Sequence, residues 1–249
     1  MIKFFRRIRY NLMEKNKTGK YFKYAIGEIV LVVIGILIAL SINNWNEGRK
    51  LEVQKQELIT SLISDFETTK TRLDESILVA EIISSKMNSF LSVTHENSHL
   101  TLDSLKILSH SIFHRIKFKP LLDTYKRSLS TGTFALIKNN LLFSYFPEFY
   151  QELDDFKLHE DLSGDLMFKG SVWEIRKKLG SIELLKSNRK KIPKEFELSN
   201  QEFRELIKQK WFYAAYENQA WVQKNMLNSL KNIDTALKKI LIELKKQND

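Results

Sequence analysis

Residues 24–42 read YAIGEIVLVVIGILIALSI, and this stretch is the strongest structural signal in the sequence. It carries one charged side chain, Glu28, and its length is close to the roughly 20 apolar residues with which a helix crosses the hydrocarbon core of a bilayer. A buried core helix normally keeps a polar face, whereas residues 29–40 are apolar on every side apart from Gly35. The stretch therefore predicts a transmembrane helix over residues 24–42.

The charges on the two sides of this stretch differ. Eight basic residues and one acidic residue, Glu14, precede it, whereas residues 43–57 hold three of each. Cytoplasmic flanks of membrane helices carry an excess of Lys and Arg. The asymmetry therefore predicts a basic cytoplasmic segment over residues 1–23 and an exported domain over residues 43–249.

Five side chains mark the predicted anchor. Tyr24 and Trp45 are placed to lie in the two interfacial belts. Glu28 lies within a turn of the N-terminal edge, where it can reach toward headgroup water or pair with Lys23. Gly35 and Ala39 are four residues apart, a spacing of small residues at which two transmembrane helices can approach closely. A homo-oligomer formed through this helix and the long helices that follow is therefore one predicted interaction, and a different protein partner is the other.

A cleaved signal peptide is the alternative interpretation of the same segment. Ala39 and Ser41 stand at the −3 and −1 positions of a small-residue cleavage site. The apolar run and its basic lead are both longer than those of a usual signal peptide, which favours the anchor. Under either interpretation the rest of the chain is exported.

The remaining sequence predicts an all-α fold. The chain of 249 residues has 8 Gly and 3 Pro, fewer than a turn-rich β protein needs. Apolar residues recur at helical spacing near both ends of the exported part: Ile59, Leu62, Phe66, Leu73, Ala80, Ile83, Met87 and Phe90 in one seam, and Met226, Leu230, Ile233, Leu237, Ile240 and Leu244 in the other. We expect an elongated antiparallel helical bundle with long first and last helices. Breaks are predicted at Pro120, at residues 130–132, at Pro147 and at residues 187–193.

Signals for catalysis are few. The sequence has no cysteine, which excludes disulfides, thiolate metal sites and cysteine nucleophiles. It also lacks a P-loop, a dinucleotide-binding fingerprint and a nucleophile elbow. We therefore expect no enzyme activity and no cofactor.

Histidines supply the one motif that argues otherwise. His95, Glu96 and His99 form a literal H-E-x-x-H match, in which two histidines hold zinc and the glutamate acts as base. Its polar neighbours indicate a connection between helices rather than a packed helix. His110 and His114 form a second pair four residues apart. Solvated histidines are the favoured interpretation, and a membrane-anchored zinc metallopeptidase is the alternative.

Charge is segregated along the exported part. The net charge of +10 comes mostly from residues 1–42, and an acidic stretch over residues 148–165 precedes a basic one over residues 176–194. The basic stretch is a candidate surface for an anionic envelope polymer, a lipid headgroup or an acidic partner, through Arg176, Lys177, Lys178, Arg189, Lys190 and Lys191. Complementary solvated faces within the fold are the simpler interpretation. Nucleic acid is not expected, because no aromatic residue is interleaved with these cations, and it becomes the alternative only if the topology is inverted.

Three segments resemble an uncharacterised family of bacterial single-pass membrane proteins. They read MIKFFRRIR (residues 1–9), YAIGEIVLVVIGILIALSINNWNE (residues 24–47) and TYKRSLSTGTFALIKNN (residues 124–140). Ser41 departs from the family pattern, which has Gln there. The resemblance implies an inner-membrane anchor and a periplasmic helical domain in a Gram-negative envelope, and no catalytic residue. Together with the residues above, it leads us to expect a domain that works by binding, as a scaffold or an accessory sensing module.

Overall fold

A computed structural model describes Tyr10 and residues 18–95, 100–179 and 199–248. These residues form seven α-helices and two 3₁₀ turns, and no strand occurs among them. The helices are α1 Thr18–His95, α2 Leu102–Ser109, α3 Asp123–Thr131, α4 Asn140–Phe168, α5 Ser171–Leu179, α6 Asn200–Ile207 and α7 Lys210–Asn248, and the 3₁₀ turns are His110–Phe113 and Thr133–Leu136. The prediction of an all-α fold with long first and last helices is confirmed.

The chain divides into two compact units, residues 1–57 and residues 58–249. The described part of the first unit is Tyr10 and the N-terminal part of α1. The second unit contains the rest of α1 and the helices α2 to α7. It is a helical bundle with one continuous apolar core.

Both predicted seams lie in the core of this bundle. All eight residues of the first seam and all six of the second are at most 3% exposed. The spacing of three and four residues keeps these side chains on one face of each helix. An apolar helix face is buried only when it packs against a neighbouring helix. The two seams therefore hold α1 and α7 together with α4.

Ion pairs fix the direction of α7 against α1. The Lys245 ammonium lies 2.7 Å from a carboxylate oxygen of Glu67, and the Lys231 ammonium lies 2.7 Å from one of Glu81. The partner on α1 moves toward its C-terminus as the residue on α7 moves toward its N-terminus. The two helices are therefore antiparallel, as the sequence predicts.

The same relation holds between α7 and α4. The Lys239 ammonium lies 2.8 Å from a carboxylate oxygen of Glu148, and the Asn232 amide donates to Glu152 at 3.1 Å. Since α7 is antiparallel to both α1 and α4, those two helices run in the same direction. Phe66 of α1 accordingly meets the ring of Phe146, with ring centres 5.6 Å apart.

A polar contact lies within the apolar interface of α4 and α7. The amide nitrogen of Gln219 donates to Ser163 Oγ at 2.8 Å. The amide nitrogen of Gln223 donates to the same oxygen at 3.3 Å and to the backbone oxygen of His114 at 3.2 Å. The Ser163, Gln219 and Gln223 side chains are buried, so these bonds specify which residues of the two helices face each other.

A second buried polar contact joins α7 to the first 3₁₀ turn. The Tyr216 hydroxyl lies 2.7 Å from Ser111 Oγ and donates to the backbone oxygen of Leu108 at 3.1 Å. Burial raises the pKa of Tyr216, and the hydrogen bond with Ser111 offsets part of that rise. The Tyr216 hydroxyl is therefore a neutral structural group.

Two predicted breaks are confirmed and one is wrong. Pro120 lies in residues 114–122, which form no helix between the first 3₁₀ turn and α3. The helix α3 ends at Thr131, and Gly132 follows in the left-handed conformation with φ 74°, which a glycine adopts without strain. Pro147, in contrast, lies inside α4. A proline there costs about 3 kcal/mol, but Phe146 and Phe149 beside it are fully packed in the core, and their burial offsets that cost. Residues 187–193 lie outside the described residues.

Candidate functional site

The helix α1 contains an apolar segment whose side chains are exposed. An 18-residue window of it has a mean hydropathy of 2.8, and none of that window is buried. Residues 29–42, including Gly35 and Ala39, are all exposed. The described chain thus has one helix near its N-terminus that is long and apolar enough to cross a membrane.

Aromatic residues stand at the two ends of this segment. Tyr24 is 57% exposed and Trp45 is 69% exposed. At 1.5 Å per residue, the 21 steps from Tyr24 to Trp45 span about 32 Å, close to the hydrocarbon thickness of a bilayer. The Arg49 guanidinium lies 5.8 Å from the centre of the Trp45 ring, a combination typical of a membrane interface.

The remaining predicted anchor residues lie on this surface as well. Glu28 is half-buried, whereas Gly35 and Ala39 are exposed on one helix face. A Cβ atom added at Gly35 would meet no atom within 4 Å. Space for a second helix is therefore present at Gly35, and self-association through Gly35 and Ala39 stays a prediction.

The histidine candidates do not come together as a metal site in the described residues. His110 lies in the first 3₁₀ turn, with its ring centre 6.5 Å from that of Phe113, and His114 is exposed just after the turn. No group of three or more His, Asp or Glu side chains in the described ranges could hold a metal ion. His95 ends α1, and residues 96–99 lie outside the described residues, so the H-E-x-x-H hypothesis stays a prediction.

The predicted basic surface is described over Arg176, Lys177 and Lys178 of α5. Lys177 pairs with Glu174 at 2.8 Å, and the Lys178 ammonium lies 5.2 Å from the centre of the Trp211 ring. Arg176 lies over the rings of Phe113 and Phe168. Arg189, Lys190 and Lys191 lie outside the described residues.

Two arginines and two phenylalanines form an arginine–phenylalanine cluster, which consists of Phe113, Arg115, Phe168 and Arg176. The Arg176 guanidinium lies 5.1 Å from the centre of the Phe113 ring and 5.6 Å from that of Phe168. The Arg115 guanidinium lies 5.7 Å from the centre of the Phe168 ring. Cation–π contacts hold guanidinium groups in fixed orientations without neutralising their charge. No sequence pattern indicates this cluster, because its members are far apart in the chain.

The acidic stretch makes its contacts within the fold. Its members include Glu148 and Glu152, which contact α7 as given above, and Asp165, which pairs with Lys169 at 2.9 Å. Lys157 pairs with Glu160 at 3.0 Å. Charge complementarity within the fold is therefore present, and α7 supplies the partners of Glu148 and Glu152.

An open depression lies where the first 3₁₀ turn meets α1. It has a volume of about 160 Å³ and is lined by Val79, Ile82, Ile83, Lys86 and His114. Pockets that hold small-molecule ligands usually measure about 300–1,000 Å³. This depression is too small for such a ligand.

These features define an all-α protein with an exposed apolar helical segment near its N-terminus and cations held on aromatic rings. Residues 28–142 match the model of a family of unknown function, DUF6090. The expected resemblance to an uncharacterised family is confirmed, and the match begins inside the apolar segment and ends in α4. No curated protein and no solved structure matches the chain.

Proposed function

We propose that this chain is a single-pass membrane protein. Residues 24–42 cross the inner membrane, the N-terminus is cytoplasmic, and the helical bundle is periplasmic and works by binding, as a scaffold or an accessory sensing module. The observation that carries the proposal is the 18-residue apolar window of α1, of which no part is buried in protein.

The free energy of hydration supports a membrane around this window. Between residues 26 and 42, twelve Val, Leu and Ile side chains are 46–67% exposed. Removing one such side chain fully from water stabilises a protein by about 1.5–3 kcal/mol, so their exposed halves amount to on the order of 10 kcal/mol or more. That is comparable to the whole stability of a typical domain. A bilayer removes this surface from water without requiring a protein partner.

The charge asymmetry supports the orientation. Eight basic residues precede the segment, and the three basic residues of residues 43–57 are matched by three acidic ones. Lys50 and Lys55 on that side already pair with Glu47 and Glu52, both at 2.9 Å. The positive-inside rule therefore favours a cytoplasmic N-terminus.

The arginine–phenylalanine cluster supports a binding role for the bundle. The arginine–phenylalanine cluster presents two cations on a half-exposed ring, Phe168. Aromatic and arginine side chains are the ones most enriched where protein surfaces bind partners. The depression beside His114 is too small to hold a small-molecule substrate.

Single-cysteine labelling tests the topology. The chain has no cysteine, so each variant carries one thiol. Tyr10 and Asn228 are both exposed and lie on opposite sides of the apolar segment in the sequence. Spheroplasts that express Tyr10→Cys or Asn228→Cys are treated with a membrane-impermeant maleimide before and after lysis, and the mass of the labelled protein is recorded.

We expect Asn228→Cys to react in intact spheroplasts and Tyr10→Cys to react only after lysis. The reverse pattern would place the bundle in the cytoplasm and reopen the nucleic-acid alternative. Reaction of Asn228→Cys on a protein that has lost its first 41 residues would identify a cleaved signal peptide. In the expected case the labelled protein keeps its full mass.

A further inference from the structure

Residues 114–122 connect the first 3₁₀ turn to α3 without forming a helix. Side chains of α1 bond to alternate residues of this connection. Ser76 Oγ donates to the backbone oxygen of Lys117 at 3.1 Å, and the Arg72 guanidinium donates to that of Lys119 at 3.4 Å. Thr69 Oγ1 accepts from the backbone nitrogen of Leu121 at 2.9 Å. The connection is therefore held along the length of α1.

Its other side packs against α4. The rings of Phe118 and Phe156 are in edge contact, with centres 6.1 Å apart. Ile116 and Leu122 are buried, while Arg115, Lys117 and Lys119 are exposed. In an extended chain, alternate side chains point to opposite faces, so the three cations lie on the outer face. We call Arg115, Lys117 and Lys119 the basic strip.

The cations of the basic strip are not neutralised by the described part of the chain. No carboxylate in that part lies within 4 Å of any of the three, whereas lysines elsewhere pair with acids, as Lys231, Lys239 and Lys245 do. The Arg176 guanidinium shares the Phe168 ring with Arg115 and extends the same positive surface. A surface with unpaired cations in one line attracts an anionic partner.

The spacing of the basic residues in the strip indicates the spacing of the acidic groups in the partner. Alternate residues of the connection bond to α1 at positions 76, 72 and 69, about one helical turn apart. A helical turn rises 5.4 Å and two residues of an extended strand span about 6.6 Å, so the backbone positions of neighbouring basic residues are roughly 5–7 Å apart. Acidic side chains at alternate positions of an extended peptide have the same period.

We propose that the basic strip binds an extended acidic peptide segment of a partner protein. Alternate Asp or Glu side chains contact Lys119, Lys117 and Arg115 in turn, and Arg176 contacts the next carboxylate. The proposal rests on the proposed function of the bundle as a binding module and names the chemistry of its partner.

The geometry favours a peptide over two other anionic partners. A bilayer surface meets cations spread over a plane, whereas these lie in one line between α1 and α4. A nucleic acid gains affinity by stacking bases on exposed rings. Phe118 is half-buried against Phe156, and Phe168 already carries two guanidiniums.

Fluorescence anisotropy with purified full-length protein in a neutral detergent tests the proposal. The probe is a labelled peptide of four Glu-Thr repeats, and the matched peptides are four Gln-Thr repeats and a block peptide of four Glu followed by four Thr. The protein variants are Lys117→Gln with Lys119→Gln, and a control, Lys138→Gln with Lys224→Gln, which removes the same charge at two exposed positions outside the strip.

We expect saturable binding of the Glu-Thr peptide that is tighter than binding of either matched peptide. The strip variant should lose about tenfold in affinity or more, and the control variant less than about twofold. Equal losses in the two variants, equal affinity for the block peptide, or tighter competition by polyphosphate or phosphatidylglycerol vesicles would each overturn the proposal. Because the assay uses purified protein, its failure leaves the topology experiment above unaffected.

Discussion

Two apolar surfaces of this protein differ in what surrounds them. In the bundle, the seams of α1 and α7 are at most 3% exposed, and most of the exposed positions on these parts of the two helices are polar. In residues 26–42, the Val, Leu and Ile side chains are 46–67% exposed and surround the helix. Both surfaces belong to regular α-helix, and α1 contains both of them.

The difference shows that the distribution of apolar residues around a helix, rather than their number, sets its surroundings. A stripe along one face is covered by one or two neighbouring helices. An apolar surface on all sides needs a surrounding medium, which a bilayer provides. Substitutions in the two kinds of surface should therefore differ in their effect on stability.

Removal of a large side chain from the bundle core should have the largest effect on stability. Phe66 is fully buried and contacts the rings of Phe146 and Phe149, with ring centres 5.6 Å and 6.0 Å apart. We expect Phe66→Ala to lower the free energy of unfolding by about 3–5 kcal/mol. Urea unfolding of the full-length protein in neutral detergent, followed by tryptophan fluorescence, measures it.

The matched change in the apolar segment is Leu37→Ala, since Leu37 is 57% exposed. We expect its unfolding curve to overlay that of the unmodified protein, because no packed neighbour is lost. A loss as large as that of Phe66→Ala would mean that residues 24–42 belong to the protein core.

Removal of the buried polar contact should have an intermediate effect. In Ser163→Ala, the amide nitrogen of Gln219 loses its acceptor at 2.8 Å in a buried position. A buried donor left without a partner costs about 1–3 kcal/mol. Ser92→Ala, at an exposed serine of α1, is the control and should change the urea midpoint little. Equal midpoints for the two variants would show that the contact between α4 and α7 contributes nothing.

Loss of a surface ion pair should have a smaller effect. Lys239→Gln removes the contact with Glu148, in which both side chains are about 40% exposed. Water and salt screen such a pair, so we expect a loss of about 0–1 kcal/mol that disappears at high ionic strength. Thermal unfolding at low and high salt measures this difference, with Lys224→Gln as the control. A loss that persists in high salt would contradict the electrostatic explanation.

The smallest effect should be the pH dependence linked to Glu243. Hydrogen bonds from Lys246 and Asn139 lower the pKa of Glu243 below its ordinary value. Its contribution to stability is therefore present above the ordinary carboxyl pKa and is lost as the pH falls through the lowered value. Glu243→Gln should unfold with a weaker dependence on pH between about pH 6 and about pH 3. An unchanged pH profile would show that the two hydrogen bonds do not favour the folded state.

The periodic features of the fold could be predicted from the sequence. The seam residues, such as Phe66 and Leu237, recur at three and four residues, and that spacing puts them on one helix face. The end of α3 at Gly132 could also be predicted from a local feature, because the left-handed conformation of this residue suits glycine. Pro147 was misjudged, because the local cost of a proline is offset by packing of Phe146 and Phe149 that only the tertiary structure reveals.

The contacts of the candidate surfaces could be predicted only in part. Arg176 was identified as part of a basic stretch, but its neighbours Phe113 and Phe168 come from other parts of the chain. The basic strip does have a local signal, the alternation of basic and apolar residues from Arg115 to Lys119. Helical spacing does not indicate the strip, because an extended connection alternates with a period of two.

A cysteine scan of residues 22–46 tests whether a bilayer surrounds the apolar segment of α1. Each position in turn is replaced by cysteine in the cysteine-free chain, and membranes are treated with a hydrophilic maleimide. We expect one continuous window over residues 26–42 that is protected from the maleimide, with reaction resuming at the ends near Tyr24 and Trp45. Protection of one face only, repeating every three to four residues, would contradict it, because that pattern belongs to a helix packed against protein.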